Sequence, residues 1–256
     1  MLYTFIYPSD YFDQKMVDEV YAEEMKSLVN AGFKTIVYNP NKRKSLEING
    51  DVCIYRGWML SDAEYDELEA FVHASEAKLL TNKEMYFKAH YMPNWYETLS
   101  NFTPKTLVVE KSELNKIKTI AEDSGWSDFF VKDYVKSLTT KQGSIAHGIN
   151  EVFDIVSKIE ILRTIEGGIC LREVQDFVES TEIRYFVLNG IIHSPNGLEI
   201  PEIAIEISKL INLPFYSLDI IHDSSGKEWL VEIGDGQVSS YKDPWSLNDI
   251  VQIFKS

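Results

Sequence analysis

Residues 1–81 alternate strand-like and helix-like periods, and this alternation restricts the fold more than any other feature of the chain. Leu2 to Tyr7 reads as a strand. Asp13 to Ala31 reads as a helix, with Val17, Val20, Tyr21, Met25 and Leu28 at helical spacing and Gly32 as its stop. Lys34 to Tyr38 and Asp51 to Tyr55 are further strands. Ser61-Asp62-Ala63-Glu64 has the form of a capping box opening a helix towards Ala74, and Lys78 to Thr81 is a fourth short strand. Strands that alternate with helices predict a parallel sheet with covered faces. No Gly-x-Gly-x-x-Gly follows the first strand, so a dinucleotide site has no support.

Residues 82–104 are rich in aromatics and His, interrupted by Pro93 and Pro104, and read as a connecting helix and loop. From Thr106 the pattern becomes β–α–β with hairpins. Thr106 to Glu110 is a strand, Ser112 to Asp123 a helix capped by Ser112, and Asp128 to Val135 a strand. Asn150 to Ile165 is a helix with one apolar face. Ile169 to Val178 and Glu182 to Leu188 are strands, Asn189-Gly190 forms a tight hairpin, and Pro201 opens a short helix to Asn212.

The most informative chemistry lies in the last hairpin. Asp219 sits in Ser217-Leu218-Asp219-Ile220-Ile221 and Glu232 in Glu228-Trp229-Leu230-Val231-Glu232-Ile233, around a polar turn. If the turn centres on Ser225-Gly226, the two carboxylates oppose each other. At about 4 Å they repel by roughly 4 kcal/mol at an effective dielectric of 20. Such a pair is retained where a proton or a cation sits between the oxygens. Hard carboxylates suit Mg2+, which shares its site with substrate phosphates.

Other candidates precede the hairpin. Lys132, inside the aromatic strand Phe129-Phe130-Val131-Lys132-Asp133-Tyr134-Val135, is a phosphate ligand or an edge-strand lysine. The polar stretch Thr139 to Gly148 has backbone amides suited to phosphate but no Walker A ending. Glu182 and Arg184 share one strand face, an acceptor for ribose and a planar fork for phosphate, or a surface pair. Arg56 ends the third strand, where ligands gather in open α/β sheets, and is a candidate for an anionic substrate.

Bulk numbers bound the function. The 256 residues carry a net charge of −15, which disfavours nucleic acid and anionic membranes as partners. No run approaches the ~20 apolar residues of a membrane span. The apolar start lacks a basic lead-in and reads as a strand, not a signal peptide. Cys53 and Cys170, both in apolar runs, read as buried thiols of a reducing, cytoplasmic setting.

In order, a strand lysine, a polar loop, an acidic hinge, a Glu-x-Arg strand and an Asp/Glu hairpin resemble the ATP-grasp superfamily, most closely its RimK-like clade of carboxylate–amine ligases. The resemblance covers residues 82–256. It implies an α/β fold in which two α+β lobes sandwich ATP, preceded by an N-terminal α/β parallel-sheet lobe. Expected boundaries are an N-terminal domain at 1–81, a connector at 82–104, a lid lobe at 105–170 and a metal-binding lobe at 171–256. By the same resemblance Lys132 and Arg184 act on phosphates, and Glu173, Val174, Gln175 and Glu182 hold the nucleoside. Asp219 and Glu232 bind Mg2+, while Arg56 and His90 face the substrate. Thr139 to Gly148 stands at the loop that closes over ATP, and Lys83 at a second phosphate lysine. The family's usual Asn, two residues after the second metal carboxylate, is Gly234 here, so Asp235 or Gln237 is expected to supply the missing oxygen. The implied activity is ADP-forming ligation of a carboxylate and an amine, on an amino acid or peptide, through an acylphosphate. An ATP-binding module without turnover, an ATP-grasp phosphotransferase and an interaction protein with an acidic face remain as alternatives.

Overall fold

The computed structural model describes residues 3–40, 48, 50–138 and 143–255. In chain order the elements are β1 (Tyr3–Pro8), α1 (Ala22–Asn30), β2 (Lys34–Tyr38), β3 (Val52–Tyr55), α2 (Asp62–Ala74), β4 (Lys78–Leu79), α3 (Lys83–His90), α4 (Met92–Leu99), β5 (Thr106–Glu110), α5 (Ile117–Ser124), β6 (Asp128–Asp133), β7 (Ile145–His147), α6 (Ile149–Leu162), β8 (Gly168–Glu173), β9 (Ile183–Leu188), β10 (Ile191–His193), α7 (Glu202–Leu210), β11 (Phe215–His222), β12 (Glu228–Asp235) and α8 (Leu247–Lys255). They fall into two compact units. One comprises Met1–Phe87, Arg184–Leu218 and Gly234–Ser256, the other Lys88–Ile183 and Asp219–Ile233.

The first unit contains the expected parallel sheet, in the order β2-β1-β3-β4. Phe5 of β1 pairs with Thr35 on one side and Ile54 on the other. Its ring meets Phe33 and Phe254 edge-on, in a core that also holds Tyr3, Leu28, Phe186 and Ile253. Thus α8, at the end of the chain, helps to cover a sheet formed at its start. Ser61 and Glu64 form the predicted capping box. Asn189 and Gly190 take the positive φ values that the hairpin between β9 and β10 requires.

Helix α1 begins at Ala22 and not at Asp13. Asp10 Oδ1 accepts the amides of Phe12 and Asp13, and Asp18 Oδ1 accepts that of Val20. These short side chains hold the backbone in turns that compete with helix.

The second unit holds an antiparallel sheet, β5-β8-β6-β7. Helix α6 packs Val152, Ile155, Val156 and Ile159 into its core, with Val131, Ile169 and Leu171 from the strands. Ser112 does not cap a helix. Residues Lys111–Lys116 form 3-10 turns, and the α-helix starts at Ile117. Strand β8 stops at Glu173, short of Val178. The connector contains two helices, α3 and α4, the second with Pro93 in its first turn, where a missing amide costs nothing. Of the predicted loop from Thr139 to Gly148, residues 139–142 lie outside the described residues, and Ile145–His147 form β7 against β6.

The third sheet has the order β10-β9-β11-β12. The turn joining β11 to β12 is tied by Asp223, whose Oδ1 accepts the amides of Ser225 and Lys227. Both cysteines are free and buried, and burial pushes each thiol up to about 12. Among the described residues no helix is long and apolar enough to cross a membrane.

A buried ion pair braces the first unit. Arg56 and Glu24 are each 3% exposed at the side chain, with two bonds of 2.8 Å between them. Tyr7 donates its hydroxyl to Glu24, and Arg56 Nη1 donates to the carbonyls of Gly236 and Ser239. Burial raises the Glu24 pKa, but the Arg56 charge and the bonds from Arg56 and Tyr7 outweigh it and hold the carboxyl below its usual range. Its contribution is therefore complete above the unfolded-state pKa and is lost as pH falls through the lower folded value. We expect Arg56→Met to destabilise the protein by about 3–5 kcal/mol, because it leaves Glu24 buried and unpaired. Chemical denaturation at pH 7 measures this, and the difference from wild type should shrink at acid pH.

Candidate active site

In the second unit, Lys132 lies on β6, which is paired on both sides, by β7 and β8. A lysine there is enclosed: its side chain is 5% exposed, and Nζ lies 3.2 Å from Glu232 Oε1. Arg172 of β8 shares this neighbourhood. Phe130 pairs with Arg172 and Lys132 with Cys170, so strand alternation puts Lys132 and Arg172 on one face as diagonal neighbours. Burial pushes the Arg172 guanidinium down to about 10, with the Glu232 charge acting in the opposite direction, and it remains a cation at neutral pH. Its Nη1 donates to Val231 O at 2.9 Å and its Nη2 to Thr103 Oγ1 at 2.6 Å. Thr103 Oγ1 in turn donates to Leu230 O. The backbone immediately before Glu232 is thus pinned at two successive carbonyls.

Asp219, on β11, is 3% exposed. Strand alternation relates it to Glu232. In the first unit a Cβ at Gly234 would lie 2.8 Å from Ser217 Oγ and 2.6 Å from Ser239 Oγ, so positions 217 and 234 face one side of their strands. Two residues further along each strand, that same side carries Asp219 and Glu232. Asp235 follows Gly234 and belongs to the opposite side. Its Oδ1 accepts from Gln237 N and Nε2, and its Oδ2 has no hydrogen-bond partner among the described residues. Burial raises its carboxyl to about 7. Gln237 is committed to Tyr65 and to the Tyr55 amide. The room an Asn side chain needs is taken by the Ser217 and Ser239 hydroxyls, themselves 2.8 Å apart.

Among the described residues no three or more His, Cys, Asp or Glu side chains are grouped to hold a metal. Two hard carboxylates on one strand face fit Mg2+, which takes its other ligands from water and phosphates. They do not fit a closed, all-protein site.

Glu173, Val174 and Gln175 line a cleft of about 510 Å3, with Gly125, Trp126, Ser127, Asp128 and Asp176. Gln175 Nε2 reaches Glu173 Oε2 at 3.4 Å, and Glu173 N donates to Lys105 O, which fixes the end of β8. Glu182 ends a 3-10 turn just before β9. In the first unit, Arg184 Nη1 donates to Ser240 O. His90 is buried, and burial together with the charges of Lys136 and Lys132 pushes it down to about 4, so it is neutral at physiological pH.

Two other candidates are engaged elsewhere. Arg56 directs its donors to Glu24 and to backbone carbonyls, which explains why a strand-end arginine need not meet an anion from solution. Lys83 Nζ is held by Asp62 and Asp66 at 2.8 and 2.7 Å. Conversely, Arg172 and Thr103 adjoin Lys132 and Glu232 without being among the sequence candidates. The available signal was an arginine within an apolar strand, which has to find partners inside the protein.

The sequence matches a family of ATP-grasp domains over residues 94–254, more than half of the chain, and the protein belongs to that family. Solved structures share its fold. The RimK domain ATP-grasp protein from Sphaerobacter thermophilus superposes with a TM-score of 0.65 at 12% identity, covering 99% of this chain and 98% of that one. The D-alanine–D-alanine ligase from Coxiella burnetii gives 0.65 at 13% identity, over 100% and 94%. The ATP-grasp ligase PsnB, in complex with its minimal precursor, Mg and ADP, gives 0.57 at 10% identity, over 98% and 97%. No functionally curated protein matches the sequence. The expected ATP-grasp fold is thereby established.

Gly234→Asn tests how the position is filled. We expect a loss of about 1–3 kcal/mol, the usual cost of overpacking, and no gain in metal affinity. Thermal unfolding and Mn2+ titration read the two effects.

Proposed function

We propose that this protein is an ATP- and Mg2+-dependent ligase that joins a carboxylate to an amine, releasing ADP and phosphate. The observation that carries this reading is the pair formed by buried Lys132 and half-buried Glu232, 3.2 Å apart, on the strand face that Glu232 shares with Asp219. Membership of an ATP-grasp family and the ligase neighbours support it.

In this reading Lys132 and Arg184 hold phosphate oxygens. Glu173, Val174 and Gln175 meet the base, and Glu182 meets the ribose. Asp219 and Glu232 hold Mg2+, which when bound offsets charge on the transferring group. The substrate carboxylate attacks the γ-phosphorus and ADP leaves, giving an acylphosphate. The amine then attacks the acyl carbon, phosphate departs with the C–O electron pair, and the amine loses a proton. The protein contributes mainly position and fixed charge, as in phosphoryl transfer generally. Neutral His90 offers a hydrogen bond to the substrate without adding charge. The neighbours named for D-alanine and for a precursor suggest an amino acid or a peptide as the substrate class.

An ATP-binding module without turnover is the second reading, favoured by the closed space at Gly234. Screening amino acids, peptides and polyamines for ATP-dependent condensation by mass spectrometry separates them. An amide product with ADP supports the ligase, ATP binding without substrate-stimulated ADP release supports the module, and a phosphorylated product indicates a phosphotransferase.

Asp219→Asn or Glu232→Gln is expected to abolish turnover in a folded protein, and unchanged activity in either would remove its metal assignment. With Mg2+ present, ATP at 100 times its dissociation constant should stabilise the wild type by about 2.7 kcal/mol, measurable by chemical denaturation.

A further inference from the structure

Glu232 already has a cation beside it without any ligand: Lys132 Nζ lies 3.2 Å away, and Arg172 lies on the same strand face as Lys132. Arg172 is fixed, because both its Nη atoms are bonded to the frame formed by Thr103 and Val231. Lys132 is different. Its contact with Glu232 is a single ion pair at the end of a flexible stem. A divalent cation added alone would bring two further positive charges to a carboxylate that Lys132 already neutralises, beside an ammonium that is only 5% exposed. The phosphates of a nucleotide cancel those charges.

We propose that Lys132 is the internal counter-ion of Glu232 in the nucleotide-free protein, and that nucleotide and metal enter together by exchange. Lys132 leaves the Glu232 carboxylate for a phosphate oxygen as the divalent cation takes its place. Arg172 and Thr103 meanwhile keep the Glu232 backbone still, which makes Arg172 a positioning residue. This rests on the ligase reading of the site. It adds that free metal binds poorly, and that metal and nucleotide strengthen each other's binding because one lysine serves both states. Such reciprocity is a requirement of linkage.

The test is Mn2+ binding to the full chain, read from the free-Mn2+ signal in electron paramagnetic resonance, with and without a non-hydrolysable ATP analogue. The wild type should bind Mn2+ weakly alone and about tenfold or more tighter with the analogue, within the usual range of coupling between sites. Lys132→Met should bind Mn2+ alone about tenfold tighter than wild type, show a smaller enhancement by the analogue, and bind the analogue more weakly. Glu232→Gln should lose the Mn2+ site in both conditions. If Lys132→Met leaves Mn2+ affinity unchanged or lower while Glu232→Gln abolishes it, the exchange is wrong and the metal site stands. If Glu232→Gln changes nothing, the ligase reading of this site fails as well. Equal Mn2+ affinity of the wild type with and without the analogue also overturns the exchange, and it does so without any variant that has to fold.

Discussion

Buried charge that must be neutralised inside the protein is the constraint on which this structure depends. Two of these sets, one in each compact unit, show the two ways this is met. In the first, Arg56 meets Glu24 through two bonds and donates to further backbone carbonyls, and Tyr7 donates its hydroxyl to Glu24 as well. That set is closed, and its chemistry is structural. In the second, Lys132 meets Glu232 through one contact, beside Asp219 on the same strand face. A cation held by one contact is less saturated than one held by several, and that difference sets the Lys132–Glu232 pair apart from the Arg56–Glu24 brace.

The same reasoning explains what was readable in the chain. The alternation of β1, α1, β2, β3 and α2 was legible because each element carries its own period and punctuation, as in the Ser61–Glu64 cap and the Asn189-Gly190 turn. The acidic hairpin was legible because like charges on neighbouring strands are costly and call for an explanation. Helix starts were less so: Asp10 and Asp18 draw backbone amides into turns where apolar spacing alone suggested helix. Strands β11 and β12 each pass from one unit to the other, at Leu218–Asp219 and Ile233–Gly234, within continuous apolar runs that carry no linker signal.

The candidate site divides in the same way. Lys132, Asp219 and Glu232 stood out as charges inside apolar strands, which local sequence displays. Arg56 stood out for the same reason, yet its partner Glu24 lies 32 positions away on the polar-looking helix α1, and nothing local announces the pair. The partners of Arg172 carry no such local signal, because they are one backbone carbonyl and a threonine, groups without a distinctive signature. Gly234 gave a departure from the family pattern without a cause. The cause is steric, since the hydroxyls of Ser217 and Ser239 stand where a side chain would begin.

The central claim is that Asp219 and Glu232 together hold a divalent cation that comes with nucleotide. Crystals grown with Mn2+ and a non-hydrolysable ATP analogue test it most directly, through anomalous scattering at the manganese edge. The account predicts a peak within bonding distance of both carboxylates and of phosphate oxygens, with Lys132 turned from Glu232 towards a phosphate. A bound analogue with no peak at these two residues, or a peak coordinated by other side chains, would contradict it.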